Sequence, residues 1–239
     1  MTSMDALKIK IFADSADKNT ILNLQHNKLI QGFTTNPTLM LKAGIKDYKG
    51  FAEEILSLIG ERPISFEVFS DDFSEMYDQA LLIASWGKNV YVKIPVTNTQ
   101  GQSSLNLIQK LAHAGVKQNI TALMTLEQVE TVTQALAQGP TAFISIFAGR
   151  IADTGRDPVP LMQTAVNMLQ PYPKLQLIWA STRELFNIFQ ANAIGCHVIT
   201  VSTEIMQRTH LVGRDLQQFS VETIKSFYDD AQKLKLSLA

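Results

Sequence analysis

One lysine stands in a run of residues otherwise suited to burial. Lys93 interrupts Val90-Tyr91-Val92-Lys93-Ile94-Pro95-Val96. Desolvation disfavours an ammonium ion, so an amine held in such a run is neutral more often and can attack a carbonyl. Period-two alternation sets Lys93 on the face of Tyr91 and opposite Val92 and Ile94. Imine chemistry also needs an acid/base for a substrate hydroxyl and a route for protons and water. Asp14 and Glu67 stand at equivalent depths in two other apolar runs. Each residue has a plainer alternative. Lys93 can snorkel to solvent or pair with Glu67, and Asp14, ahead of the helical pattern Lys18 to Leu29, has the place of an N-cap.

Other polar residues close neighbouring runs. Asn36 follows one, and Asn119 and Thr121, two apart on one face, form either a hydrogen-bonding wall or a turn. Ser145 sits in Ser145-Ile146-Phe147-Ala148-Gly149-Arg150, which places Arg150 just past a strand, where it is either a surface residue or a second positive charge. Ser181-Thr182-Arg183-Glu184 fits a capping box, and a helix start carrying arginine also suits a phosphate, because free N–H groups and a guanidinium both favour an oxyanion. His26, His113, His197 and His210 lack ligand-like spacing and read as structural, so no metal is expected. Cys196, the single cysteine, lies in the apolar run Ile194 to Val201 and reads as a buried, inert thiol.

The elements that must position these residues follow from the alternation of short β-rich runs with longer amphipathic stretches. Strands are predicted at Lys8 to Asp14, Gly32 to Asn36, Ile64 to Phe69, Val90 to Pro95, Val116 to Thr121, Ala142 to Phe147, Gln176 to Ser181 and His197 to Ser202. Helical spacing marks Phe51 to Ile59, Phe73 to Trp86, Leu105 to Ala112 and Leu126 to Leu136. Gly60, Gly87, Gly115, Gly139 and Gly195 are expected as left-handed residues closing helices. Eight βα units in 239 residues predict an α/β fold, a single (β/α)8 TIM barrel whose typical length is roughly 250 residues. A doubly wound sheet is the alternative, but Ile11 to Ala16 reads Ile-Phe-Ala-Asp-Ser-Ala, with no G-x-G-x-x-G. In a barrel, the residues named above gather at the C-terminal ends of the strands. A terminal amphipathic helix is predicted from about Val221, over 221–239.

Composition narrows the function classes. Hydrophobic residues make up 46% and charged residues 18%, enough apolar material for a large core. Twenty-one basic residues against twenty-two acidic ones, without a Lys/Arg block, argue against nucleic acid as a partner. No apolar run reaches the roughly 18 residues of a membrane span, and the N-terminus lacks a signal-peptide pattern, so a cytoplasmic location is expected.

Five segments together resemble the transaldolase family, in the short-chain branch that includes the fructose-6-phosphate aldolases. Phe33-Thr34-Thr35-Asn36-Pro37-Thr38 is similar to its T-T-N-P-[ST] signature, and Val92-Lys93-Ile94-Pro95-Val96-Thr97 to its lysine-bearing segment. Asn119-Ile120-Thr121, Ser145 to Arg150 and Ala180-Ser181-Thr182-Arg183 resemble three further strand ends, although Ile146 stands where many members have proline. The resemblance implies a transaldolase that needs no cofactor. Lys93 would form a Schiff base with a ketose phosphate, and Asp14 would act as the acid/base. Asn36, Asn119 and Ser145 would position a dihydroxyacetone unit for transfer to an aldehyde acceptor. Glu67 and Thr121 would hold the water of imine chemistry, and Arg150, Ser181 and Arg183 would bind phosphate. The fructose-6-phosphate aldolases are similar in carrying glutamine and tyrosine where this chain has Glu67 and Phe147, so the resemblance favours transfer over release. Release of free dihydroxyacetone and a catalytically silent sugar-phosphate-binding barrel are the competing readings. Short members commonly form homo-oligomers, often decamers, with the C-terminal helix packed on a neighbour.

Overall fold

Alternation with period two decides which side chains line a barrel and which face its helices. The computed structural model describes residues 3–234. Its strands are β1 (Lys10–Asp14), β2 (Ile30–Thr34), β3 (Ile64–Glu67), β4 (Val90–Pro95), β5 (Gln118–Leu123), β6 (Ala142–Ile146), β7 (Leu175–Trp179) and β8 (Val198–Ser202). They pair in parallel, each with the next, and β8 closes on β1. The predicted (β/α)8 barrel is therefore the observed fold.

Outward positions such as Ile11, Phe33, Phe66, Val92, Ile94, Ile144, Leu177 and Ile199 join the buried layer between strands and helices. Inward positions divide by height. Phe12, Phe143, Ile178 and Val198, with Tyr91 against them, form an apolar plug inside the barrel, where the Phe12 and Phe143 rings meet edge to face at 5.5 Å. Gly32 leaves room for this plug, since a Cβ there would lie 2.6 Å from the Phe12 ring. Two residues further along, the same inward face carries Asp14, Thr34, Lys93, Ser145 and Thr200. One strand turn thus separates a packed floor from a polar upper layer.

Helices cover the outside, among them Lys18–Leu24, Tyr48–Ile59, Phe73–Ala84, Leu105–His113, Leu126–Leu136, Val159–Leu169 and Phe186–Ala193. Asp17, Asp47, Asp72 and Thr125 cap four of them through their side chains. Several expectations need correction. β2 ends at Thr34 rather than Asn36, because Pro37 starts a short helix, Pro37–Lys42, and Asn36 caps it by accepting from Leu39 N at 2.9 Å. Gly60, Gly115 and Gly195 have positive φ, but Gly87 and Gly139 do not. At Gly139 the requirement is space, since a Cβ would fall 2.9 Å from that of Ala112. The terminal helix spans Leu216–Leu234, starting earlier than predicted because Asp215 accepts from Gln218 N at 2.7 Å. Residues 235–239 of the predicted tail lie outside the described residues. No described helix is long and apolar enough to cross a membrane.

Candidate active site

The polar ends of the strands enclose a cavity of about 530 Å3 at the C-terminal face of the barrel. Strand register sets its middle layer, because Glu67 pairs with Lys93 across β3 and β4, and Lys93 with Asn119 across β4 and β5. Lys93 is only 7% exposed, so it does not snorkel to solvent. Its Nζ donates to the Thr35 carbonyl at 3.0 Å and lies 3.0 Å from Glu67 Oε2. The pairing with Glu67 is real, and it lies inside the cavity rather than on the surface. Tyr48 holds the end of β3 in place, donating its hydroxyl to the Glu67 carbonyl at 3.0 Å while its ring packs on Trp86.

Asp14 is not the N-cap of the following helix. Asp17 fills that role, accepting from Thr20 N at 2.7 Å. Asp14 instead turns into the cavity, where Thr34 Oγ1 donates to its Oδ1 at 2.8 Å. Thr34 Oγ1 also lies 2.5 Å from Thr200 Oγ1 on β8. Burial holds the Asp14 carboxyl above its ordinary range, opposed by the charge of Lys93 and the Thr34 hydroxyl and reinforced by Glu67. Such a carboxyl can take and return a proton nearer neutrality.

On the opposite wall, Asn119 Nδ2 donates to Ser65 Oγ at 2.9 Å, and Ser145 Oγ donates to Asn119 Oδ1 at 2.7 Å. This fixes the orientation of the amide. Thr121 is 1% exposed and lines the cavity, and its hydroxyl has no hydrogen-bond partner among the described residues. A hydroxyl buried in this way is able to bind a water or a substrate oxygen. The pairing of β5 with β6 loses register just beyond it, with Ala122 at φ 66°.

Arg150, Phe147, Ser181 and Arg183 line the mouth. The Arg150 guanidinium lies 5.3 Å from the Phe147 ring centroid. Arg183 is braced by Asp153, with Nε to Oδ1 at 3.0 Å and a second contact at 2.5 Å, and this bond holds the Asp153 carboxyl below its usual range. The expected capping box at Ser181 and Glu184 does not form. Ser181 has φ 62°, and Asn187 Oδ1 accepts from the N–H groups of both Arg183 and Glu184 instead. The helix Phe186–Ala193 begins only after this turn. Gly149 explains the shape of the turn, because a Cβ there would lie 1.6 Å from Ser181 O.

All eleven residues singled out from the sequence, including Asn36, line this one cavity. Sequence reasoning missed Thr34, Ser65, Thr200 and Lys42. The first three share inward parity with predicted site residues on their own strands or at the same height, and that parity was the available signal. Lys42, on the short helix after Asn36, adds a positive charge at the mouth. His197 Nδ1 accepts from Leu177 N at 3.1 Å, a structural role. The Cys196 thiol is buried, which pushes it up to about 12. Among the described residues, no group of three or more His, Cys, Asp or Glu is placed to hold a metal ion.

Known proteins resemble this chain over nearly its whole length. Residues 11–238 match the family model described as Transaldolase/Fructose-6-phosphate aldolase. A protein of Dehalococcoides mccartyi named "Probable transaldolase" is 36% identical over 201 residues, covering 84% of this chain and 89% of the other. A "Probable transaldolase" of Streptococcus agalactiae serotype V is 31% identical over 226 residues, 94% of this chain and 100% of the other. The crystal structure of orotidine 5'-monophosphate decarboxylase from Metallosphaera sedula superposes with a TM-score of 0.55 at 12% identity, covering 92% of this chain and 98% of that one, a likeness of fold alone.

Proposed function

Because this chain belongs to the transaldolase/fructose-6-phosphate aldolase family, we propose that it moves a dihydroxyacetone unit from a ketose phosphate to an aldehyde acceptor through a Schiff base on Lys93. The observation that carries this reading is the buried Lys93 amine with two carboxylates around it, Glu67 at 3.0 Å and Asp14 within electrostatic reach.

Lys93 Nζ attacks the C2 ketone, and loss of water gives an iminium. Glu67 and Thr121 pass the protons and hold the water of that step, a role supported by the Glu67 contact with Lys93 and the unpartnered Thr121 hydroxyl. Asp14 takes the C4 hydroxyl proton, the C3–C4 bond breaks, and C4 leaves as an aldehyde. The bonding pair stays on C3, delocalised into the iminium as an enamine. In the second half, C3 attacks the carbonyl of the acceptor and Asp14 returns its proton to the new alkoxide. Water then releases the product from Lys93. The iminium serves as the electron sink for the carbanion. Asn36, Asn119 and Ser145 position the three-carbon unit, and Arg150, Ser181 and Arg183 take the phosphate. The Asp153 brace supports this role, since it holds Arg183 at the mouth before substrate arrives.

Transfer is favoured over release because Phe147 brings no hydroxyl to the cavity and Glu67 is engaged with Lys93. The test is turnover of fructose 6-phosphate with and without an acceptor aldehyde. Transfer predicts little turnover until acceptor is added. Equal rates without acceptor contradict it in favour of release, and no turnover in either case leaves a silent sugar-phosphate-binding barrel. The same reading extends to assembly, in which a second copy of the chain covers the terminal helix.

A further inference from the structure

We propose that Thr200 is a positioning residue for Asp14, acting through the Thr34 hydroxyl. This inference rests on the proposed reaction, in which Asp14 must be an ionised base when the C4 hydroxyl arrives.

Thr34 has one hydroxyl proton and two neighbours for it, Asp14 Oδ1 at 2.8 Å and Thr200 Oγ1 at 2.5 Å. An ionised carboxylate only accepts, so Thr34 gives its proton to Asp14. Thr200 must then donate to the Thr34 oxygen, because two hydroxyls in contact need one donor between them. The chain therefore runs in one direction, from Thr200 to Thr34 to Asp14. A donor that is itself accepting a hydrogen bond is polarised and binds an anion more strongly. Thr200 is 6% exposed, which keeps competing water from much of this contact. Its backbone is also pinned, since Thr182 Oγ1 donates to the Thr200 carbonyl at 2.6 Å.

The surroundings of Asp14 make these hydroxyls matter. Lys93 on β4 and Glu67 on β3 are the charged groups that act on it, and they pull in opposite directions. From the strands that flank it, β2 and β8, the groups on its side of the cavity are the hydroxyls of Thr34, Thr200 and Ser202, its register partner; of these Thr34 bonds to it and Thr200 bonds to Thr34. The hydroxyl pair is thus the local device that favours the base form.

The test compares Thr200→Val, which keeps the branched shape and removes the hydroxyl, with Thr200→Ser, which keeps the hydroxyl. With a weaker donor the Asp14 carboxylate is less stabilised, so the acid limb of the kcat/KM profile moves to higher pH in the valine variant. Its kcat falls about tenfold while KM for the ketose phosphate stays within about twofold, because the loss concerns proton transfer rather than binding. Serine restores both the rate and the limb. If the valine variant does not fold, Thr200→Ala gives the same reading without added apolar bulk. A valine or alanine variant with the wild-type rate and limb overturns the proposal, and so does a serine variant as impaired as valine. Wild-type protein with no transfer activity overturns the proposed function and this inference together. Active wild-type protein with an indistinguishable valine variant overturns this inference alone.

Discussion

At the residue scale, the burial that the proposed proton transfer asks of Asp14 works against the fold. Its folded-state proton affinity lies above the ordinary value of 3.8, mainly through desolvation. As pH rises from about 4 toward the raised folded value, the unfolded chain ionises first, so the folded chain holds more protons and stability falls through that window. Above the window the loss is complete. Asp14→Asn cannot ionise and is expected to melt higher than the wild type at pH 7, with the difference narrowing toward about pH 4, while turnover drops about a hundredfold or more. Thermal melts at the two pH values check the first claim. A lower melting temperature for the asparagine variant at pH 7 contradicts it. That Asp14 and Lys93 turn into one cavity was legible in the sequence, because a charge inside an apolar strand needs a reason. The Thr34 to Thr200 contact was not, because it joins residues 166 positions apart that meet only when β8 closes on β1.

Elements place these residues through strand register and through close approach of loops. Gly149, in the short helix Ala148–Asp153 after β6, lets that helix lie against Ser181 O, and this contact sets where Ser181 and Arg183 stand. Gly149→Ala pushes a Cβ into that oxygen and toward Arg183 Cγ, so the turn at Ser181 must move at a cost of about 1–3 kcal/mol. KM for phosphorylated ketoses is expected to rise about tenfold with a smaller change in kcat. An unchanged KM shows that the turn does not set the phosphate site. All eight strands were legible because period-two alternation and their polar ends agree. The start of the helix after β7 was not, because Ser181 and Glu184 satisfy the pattern of a capping box while the left-handed backbone at Ser181 carries the chain past it to Asn187. The early start of the terminal helix had a signal, Asp215 three residues before Gln218. The apolar spacing that reads most clearly, from Val221, masks that signal.

For the whole molecule, the helix Leu216–Leu234 is the longest of the described helices and carries no buried residue. Leu216, Ile224, Phe227, Tyr228 and Leu234 are each at least 64% exposed, and helical geometry brings them toward one side. A stripe of this kind is costly to leave in water, and a second copy of this chain is the expected cover. Light scattering is expected to report an oligomer for the wild type and a smaller species for the double variant Ile224→Glu and Phe227→Glu, with the barrel's circular dichroism unchanged. A monomeric wild type at micromolar concentration contradicts this assembly.

The central claim is a covalent bond between Lys93 and the substrate. Treatment with borohydride in the presence of fructose 6-phosphate, followed by peptide mass analysis, reads it directly. The predicted result is a reduced three-carbon adduct on Lys93, absent in a folded Lys93→Met variant. Folded wild-type protein with no adduct on Lys93, or with the adduct on another lysine, contradicts the account.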